Sequence, residues 1–232
     1  MSTELPLKQG AVTVAVAGQY TLPNWYDSSG KLRTFTCRTS RVSPYQMMVD
    51  VPIVGKVGNH LTSYFREFGK LNGHIIDTKA RSFLIELDVS DATRERLANK
   101  LTWLEEKLKD PAIPELRKEG ARVVPENSHS TLTLADGAIH QCLIIDMSVG
   151  GAAISAELQP PIGTALAVGA CVGRVIRLFN TGFAVKFAEK RRQSDLDRLI
   201  IRSMPPHMAA ARRLRPDATP PVSSGLAAAA AG

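Results

Sequence analysis

The stretch GRVIRLFNTGFAVKF (173–187) decides the fold that the sequence predicts. Its two runs are rich in Val, Ile and Phe, and the central Asn-Thr-Gly is a tight-turn signal, so an antiparallel strand pair is expected. GHIIDTKARSFLIEL (73–87) follows the same pattern, and in both stretches the first glycine stands ten residues before a phenylalanine. The chain therefore contains two related β segments.

Other spacings repeat in the same two halves of the chain. In each half a serine follows a cysteine after six residues and a glycine follows that serine after fifteen, as in Cys37, Ser43, Gly58 and Cys142, Ser148, Gly163. Three matching spacings indicate two copies of one β module. Short strands with tight turns in each copy predict a small closed barrel or a sandwich.

Helices are predicted after each copy. A leucine stripe at helical spacing follows Ser90 or Asp91 as the capping residue, and its members are Leu97, Leu101, Leu104 and Leu108. We expect this helix to pack against one or both barrels. A shorter helix is expected within 191–204, where Ser194 and Asp197 resemble a capping box. The low-complexity segment 205–232 is expected to be disordered.

Composition limits the classes of protein to consider. Hydrophobic residues make up 44% and charged residues 22%, as in globular proteins with real cores. The net charge is +7, but residues 188–232 hold eight Lys/Arg and four Asp/Glu, and 8 − 4 = +4 of the excess lies there. A specific nucleic-acid binder is therefore not favoured, although a general one using a barrel surface stays an alternative.

Three further features bear on location and chemistry. The three cysteines form no zinc or disulfide pattern and are expected to be buried in a reduced protein. No apolar stretch approaches the roughly 20 residues of a spanning helix, so we expect a cytoplasmic protein without a membrane span. The five histidines lack metal-ligand spacing, and no catalytic arrangement appears, so neither a metal site nor an enzyme is predicted.

IIDMSVGGAAIS (144–155) interrupts a hydrophobic strand with a carboxylate, a hydroxyl and two glycines. Asp146 and Ser148 are two residues apart and therefore project from the same strand face. Gly150 and Gly151 permit close approach of a backbone or ligand and a positive φ at a bend. A carboxylate can accept from the paired N–H groups of guanine. The alternative is an Asp-Ser turn that caps its own backbone.

A basic cluster precedes this strand. Arg117, Lys118 and Arg122 lie in ELRKEGARVVP (115–125). Cations on a linker can clamp phosphates, and arginine can also stack on a purine. Together with the carboxylate and the open backbone, they outline a purine-nucleotide site.

These residues resemble the PilZ domain family. The resemblance rests on Arg122 with Lys118 or Arg117 ahead of it, on D-x-S-x-x-G at 146–151, and on the strand pair at 173–187. It implies six-stranded β-barrels that bind cyclic di-GMP, with an RxxxR motif on phosphates and guanine and D-x-S-x-x-G around a guanine base. The chain from about residue 10 to 190 is similar to tandem PilZ proteins of alphaproteobacteria.

The chain departs from the family pattern at two places. Lys118 stands where the first arginine of RxxxR is expected, unless a one-residue bulge brings in Arg117. In the first copy, a cation and a larger side chain replace the acid and the glycine, and no RxxxR precedes them; the equivalent residues are Arg41, Ser43 and Gln46. We predict that the first copy does not bind the ligand.

The prediction is thus a mainly β protein with two six-stranded antiparallel barrels, a connecting helix, a C-terminal helix and a tail. The expected segments are a degenerate barrel, 10–90; the connecting helix, 91–110; a ligand-binding barrel, 111–190; the C-terminal helix, 191–204; and the tail, 205–232. The predicted function is a cyclic di-GMP receptor without a cofactor, in which ordering of the linker changes domain arrangement or the binding of a downstream protein. The alternative is an adaptor that binds proteins without nucleotide.

Overall fold

The computed structural model describes residues 10–27, 29–109, 122–125 and 127–201. Within these ranges the chain forms two closed six-stranded antiparallel barrels and two α-helices. The repeated spacings predict two copies of one β module and the family resemblance implies a six-stranded barrel for each; both are confirmed. The segment boundaries that we predict from the sequence stay a prediction.

The first barrel has the strand order β1-β2-β3-β6-β5-β4, and pairing of β1 with β4 closes it. Its strands are β1 Ala17–Tyr26, β2 Leu32–Val42, β3 Gln46–Asp50, β4 His60–Phe65, β5 Gly69–Thr78 and β6 Ser82–Leu87. Tyr20, Phe35 and Phe83 fill its centre, with ring centroids 5.7 Å (Tyr20–Phe35) and 5.5 Å (Tyr20–Phe83) apart.

The second barrel repeats this order as β7-β8-β9-β12-β11-β10, closed by β7 and β10. Its strands are β7 His129–Leu134, β8 Ile139–Ser148, β9 Gly151–Ala156, β10 Ala165–Val168, β11 Cys171–Phe179 and β12 Gly182–Phe187. Its core holds Leu132, Ile154 and Phe183, all fully buried.

The repeat extends to strand register and β-bulges. β2 shifts register between Thr39 and Arg41, and β8 does so between Ile144 and Asp146. β5 and β11 carry matching shifts, between Ile75 and Asp77 and between Val175 and Arg177. Bulges are specific features rather than accidents of a strand. The two copies therefore share one backbone design, and residues can be compared position by position.

The connecting helix α1 spans Asp91–Lys109. The backbone N–H of Thr93 donates to Ser90 Oγ at 3.4 Å, so Ser90 acts as the N-cap. Leu97 and Leu101 are buried in the core of the first barrel, whereas Leu108 is 64% exposed. The helix thus belongs to the first barrel through the first half of its leucine stripe.

After the second barrel the chain forms a 3-10 turn, Gln193–Asp195, and a short helix α2, Leu196–Ile200. Leu196 and Ile200 are buried against the barrel core. The capping box expected from Ser194 and Asp197 is wrong, because Asp195 is the N-cap and no side chain caps this helix. The rest of the predicted C-terminal helix and the predicted disordered tail lie outside the described residues.

None of the helices in the described ranges has the length and apolar character needed to cross a membrane.

Arginines of the first barrel contact the second. Arg33 donates to the backbone oxygens of Ala156, at 2.7 Å, and of Glu157. Arg38 donates to the oxygen of Pro125 and, at 3.2 Å, to Ser128 Oγ. Strand β2 therefore serves as a wall of the first barrel and as the contact surface for the second.

Candidate functional site

The candidate site lies where β8 ends. Asp146 and Ser148 are on either side of Met147, which is 1% exposed and faces the barrel core. Because neighbouring strand residues point to opposite faces, the acid and the hydroxyl project outward together, as predicted. The side chain of Asp146 retains 23% exposure, so solvent reaches the carboxylate.

Arg122 contacts this carboxylate. Its Nη1 donates to Asp146 Oδ1 at 3.0 Å and to Oδ2 at 3.1 Å, and its own side chain is 61% exposed. The structure thus brings together two residues that lie twenty-four positions apart in the sequence. The alternative of an aspartate that caps its own turn is not the arrangement observed for Asp146.

A short backbone bridge fixes Arg122 at this place. The N–H of Val123 donates to the oxygen of Met147, and the N–H of Met147 donates to the oxygen of Val123, both at 2.8 Å. Val123 therefore lies beside Met147 of β8 in a single antiparallel bridge. The end of the basic linker is held against the strand that carries Asp146 and Ser148.

The two glycines have different surroundings. A Cβ on Gly150 would meet no atom within 4 Å, whereas a Cβ on Gly151 would lie 2.3 Å from the backbone oxygen of Val185. Gly151 pairs with Lys186 of β12 at this point. Neither glycine has a positive φ, so the bend does not use the positive φ that glycine permits. Gly150 presents open backbone, and Gly151 allows two strands to approach.

Ser148 has a local role. Its Oγ donates to the oxygen of Gly151 at 3.4 Å, across the β8–β9 turn. In the first copy, Ser43 Oγ contacts the oxygen of Gln46 at 3.2 Å and accepts from its N–H at 3.0 Å. The serine therefore supports the turn in both copies, as the turn-capping alternative expected.

The equivalent surface of the first barrel has different chemistry. Val12 bridges Val42 as Val123 bridges Met147, which places Ala11 at the position of Arg122. Arg41 is exposed at the position of Asp146, and buried Gln46 replaces Gly151. The first copy keeps the backbone of the site and lacks its acid, its arginine and its glycine pair.

Two predicted site residues, Arg117 and Lys118, lie outside the described residues. Cys37, Cys142 and Cys171 are all buried, as predicted. Burial raises the pKa of the Cys37 and Cys142 thiols well above the ordinary range, which makes them poor nucleophiles.

Sequence reasoning missed one cluster of possible ligand residues. His60, His74 and Asp88 each offer a donor atom, and these atoms lie within 4.8 Å of one another. The histidines are fourteen positions apart, a spacing without meaning in a helix or a tight motif. Strand pairing was the signal available, since His60 faces His74 directly across β4 and β5.

No protein-family model matches the chain, and no curated protein matches it. Among solved structures, the chain is similar to the PlzA protein of Borreliella burgdorferi in complex with c-di-GMP, at 12% identity and a TM-score of 0.29, over 83% of this chain and 93% of that one. It is similar to YcgR of Escherichia coli in complex with c-di-GMP, at 11% identity and a TM-score of 0.24, over 80% of each chain.

A third similarity is to the PilZ domain of CeSA from a cellulose-synthesizing bacterium. The identity is 11% and the TM-score 0.30, and the match covers 44% of this chain and 99% of that domain. The solved structures to which the chain is similar thus include a PilZ domain.

Proposed function

We propose that this protein is a receptor for cyclic di-GMP and that the second barrel binds the ligand. The observation that carries the proposal is the pairing of Arg122 with Asp146 beside the open backbone of Gly150. A cation, a carboxylate and a bare backbone stand together on the outer face of one strand end. The equivalent face of the first barrel has a cation, Arg41, in place of the acid and a buried side chain, Gln46, in place of Gly151, so we propose that it does not bind the ligand.

Each residue has a chemical task in this proposal. Asp146 accepts from the N1–H and N2–H groups of a guanine base. Arg122 contacts a phosphate or stacks on a purine face, as its planar guanidinium allows. Arg117 and Lys118 of the linker add positive charge for the phosphates. Ser148 and Gly151 shape the turn, and Gly150 leaves room for the base.

Ligand binding requires a change of partners. Guanine competes with Arg122 for both oxygens of Asp146, while the ligand phosphates offer Arg122 new acceptors. The existing pair is largely exposed on the arginine side, and exposed ion pairs contribute about 0–1 kcal/mol. Releasing it therefore costs little, and two charge-assisted contacts replace one.

The proposal includes a route to the first barrel. Val123 is bridged to Met147, and the oxygen of Pro125, two residues further on, accepts from Arg38 of β2. A ligand that repositions Arg122 acts on the start of a four-residue segment whose other end contacts the first barrel. Ordering of the linker then changes the arrangement of the two barrels or the surface offered to a downstream protein. The proposed role is that of a receptor, not an enzyme.

Calorimetric titration with cyclic di-GMP tests the proposal. We expect saturable binding to the wild type and loss of binding in Arg122→Ala and Asp146→Ala. Arg41→Ala, at the matching position of the first barrel, is the control and should bind as the wild type does. The stoichiometry would also tell a single ligand from a stacked pair. Absence of heat at micromolar protein, or equal binding by all four proteins, would overturn the proposal.

A protein-binding adaptor is the second candidate. One observation favours it: Val172 is 56% and Ile176 52% exposed on the outer face of β11. They border a groove of about 450 Å³ that also includes Arg174 and Lys186. Exposed apolar positions ringed by charge are typical of interaction surfaces. Pull-down from cells with and without cyclic di-GMP separates the candidates, since equal recovery of partners in both favours the adaptor.

A further inference from the structure

A cluster of imidazole and carboxylate groups lies on the outer face of the first barrel, away from the proposed nucleotide site. His60 on β4 faces His74 on β5, and His74 faces Glu86 on β6. Asp88 follows directly after β6, and its backbone N–H donates to the oxygen of Asn72 at 2.9 Å. Three neighbouring strands therefore bring four potential ligand residues to one place.

The distances assign a role to each group. Asp88 Oδ2 lies 3.1 Å from His74 Nδ1 and 3.9 Å from His60 Nδ1. A tetrahedral zinc ion with bonds of 2.0–2.2 Å separates its ligand atoms by about 3.3 Å. The side chain of His60 is 82% exposed and can rotate to close the remaining gap. Two nitrogens and one oxygen thus surround a position of the right size.

Glu86 lies on the side of the His74 ring opposite to Asp88. Its Oε2 lies 3.6 Å from His74 Nε2, the ring nitrogen that faces away from Asp88. Histidine ligands in metal sites usually donate their second N–H to a carboxylate, which sets the tautomer and the ring orientation. Glu86 is placed to do this, so that Nδ1 of His74 is left with a lone pair for the metal.

The second barrel shows that the fold does not require these residues. By register, His60 and His74 correspond to Ala165 and Arg174, since each pair faces across the same two strands. Glu86 and Asp88 correspond to Lys186 and Ala188. The same backbone therefore carries two alanines and two cations in the other copy. The first copy has four side chains able to contact a metal ion and the second copy has none at the same positions. This difference points to a bound ion rather than to a requirement of packing.

We propose that His60, His74 and Asp88 bind a divalent transition-metal ion of the borderline class, represented by Zn²⁺, with Glu86 orienting His74. Nitrogen and carboxylate donors suit this class, and a water molecule occupies the fourth position. The buried cysteines do not compete for the ion.

The site would connect the barrel surface to helix α1. Asp88 precedes the N-cap Ser90 by two residues, and α1 packs on the barrel through Leu97 and Leu101. A bound ion ties the root of this helix to β4 and β5. Because the ion binds the folded state, it should also raise the melting temperature of the protein.

Calorimetric titration of the full chain with ZnCl₂, after removal of metals and of any affinity tag, tests the proposal. We expect one saturable site per chain. Affinity should fall about 10- to 100-fold in Glu86→Gln, and by at least as much in His74→Ala and in Asp88→Asn, which alter the ligands themselves. His140→Ala, which removes a histidine from β8 of the other barrel, should leave the affinity unchanged.

A second readout protects the test against misfolded variants. Zn²⁺ should raise the melting temperature of the wild type and of His140→Ala but not that of Asp88→Asn, whose fold is checked by circular dichroism without metal. Asp146→Ala should bind Zn²⁺ normally, so failure of the nucleotide proposal would not affect this one. The proposal is overturned if the wild type shows no saturable binding, or if His74→Ala and Asp88→Asn bind as it does.

Discussion

At the residue scale, Gly150 and Gly151 stand side by side but meet different surroundings. Gly151 lies against the backbone of β12, where a Cβ would come within 2.3 Å of the Val185 oxygen, and Gly150 faces open space. Gly151 therefore allows the strands to pack closely, and Gly150 leaves the surface beside it open. The buried Gln46 at the matching position of the first barrel shows that this packing is a property of the second copy.

Substitution of the two glycines should separate these roles. Gly151→Ala should lower the free energy of unfolding by about 1–3 kcal/mol, because β9 and β12 must move apart. Gly150→Ala should change it by less than about 0.5 kcal/mol. Chemical denaturation of both variants measures the difference. Equal stability would contradict the close approach at Gly151.

Asp146 should matter for ligand binding far more than for stability. Asp146→Asn keeps the shape and removes the charge, so cyclic di-GMP affinity should fall about 10- to 100-fold. The ion pair with Arg122 is largely exposed on the arginine side, so the free energy of unfolding should change by less than about 1 kcal/mol. Titration calorimetry and urea denaturation give the two values. A large loss of stability with unchanged affinity would make Asp146 a structural residue.

At the element scale, helix α1 uses half of its leucine stripe. Leu97 and Leu101 enter the core of the first barrel, and Leu104 packs partly against it. Leu108, one turn further, is exposed, as is Trp103, whose ring centroid lies 4.1 Å from Lys100 Nζ. The leucine periodicity of α1 therefore continues past the part of the helix that packs on the first barrel.

Two leucine substitutions test this division. Leu101→Ala should destabilise the protein by about 2–5 kcal/mol, because it leaves a cavity between α1 and the barrel. Leu108→Ala should change stability by less than about 0.5 kcal/mol. Guanidinium denaturation followed by circular dichroism is the measurement. Equal losses of stability in the two variants would contradict the prediction, because they would mean that Leu108 is also buried in the folded protein.

At the scale of the whole molecule, β2 joins the two barrels. Arg33 and Arg38 donate to backbone oxygens of the second copy, and the N–H of Thr36 donates to Ser155 Oγ at 3.1 Å. Near these contacts, His129 Nε2 lies 3.7 Å from Asp50 Oδ1. Arginine hydrogen bonds to carbonyls are directional, so they define an orientation as well as an attraction.

Removal of Arg38 should loosen this arrangement. Arg38→Ala loses bonds to Pro125 and Ser128, each worth about 1.5–3 kcal/mol where the donor is charged. We expect a larger radius of gyration by small-angle scattering, with cyclic di-GMP affinity retained. Arg41→Ala, exposed on the same strand, is the control and should scatter as the wild type. An unchanged radius in Arg38→Ala would show that the barrels are held together without it.

Some features of the fold and of the site could be predicted from the sequence, and others could not. The β module was predictable because alternating apolar residues, tight turns and glycine spacings are local, and they recur unchanged in both copies. The shared face of Asp146 and Ser148 was predictable because it follows from the two-residue period of a strand. The reason for Gly151 was not, because it depends on how closely β12 approaches.

The sequence alone showed two copies of one β module, a helix after the first copy, and different residues at the matching site positions of the two copies. The sequence predicted one site for Arg122 and Asp146, and the fold adds their direct ion pair. Only the folded chain brings His60 and His74 to Asp88, and Arg38 to Pro125. The physical reason is that these contacts depend on strand register and β-bulges, where a shift of one residue turns every side chain to the other face. Such long-range pairing leaves little trace in local sequence.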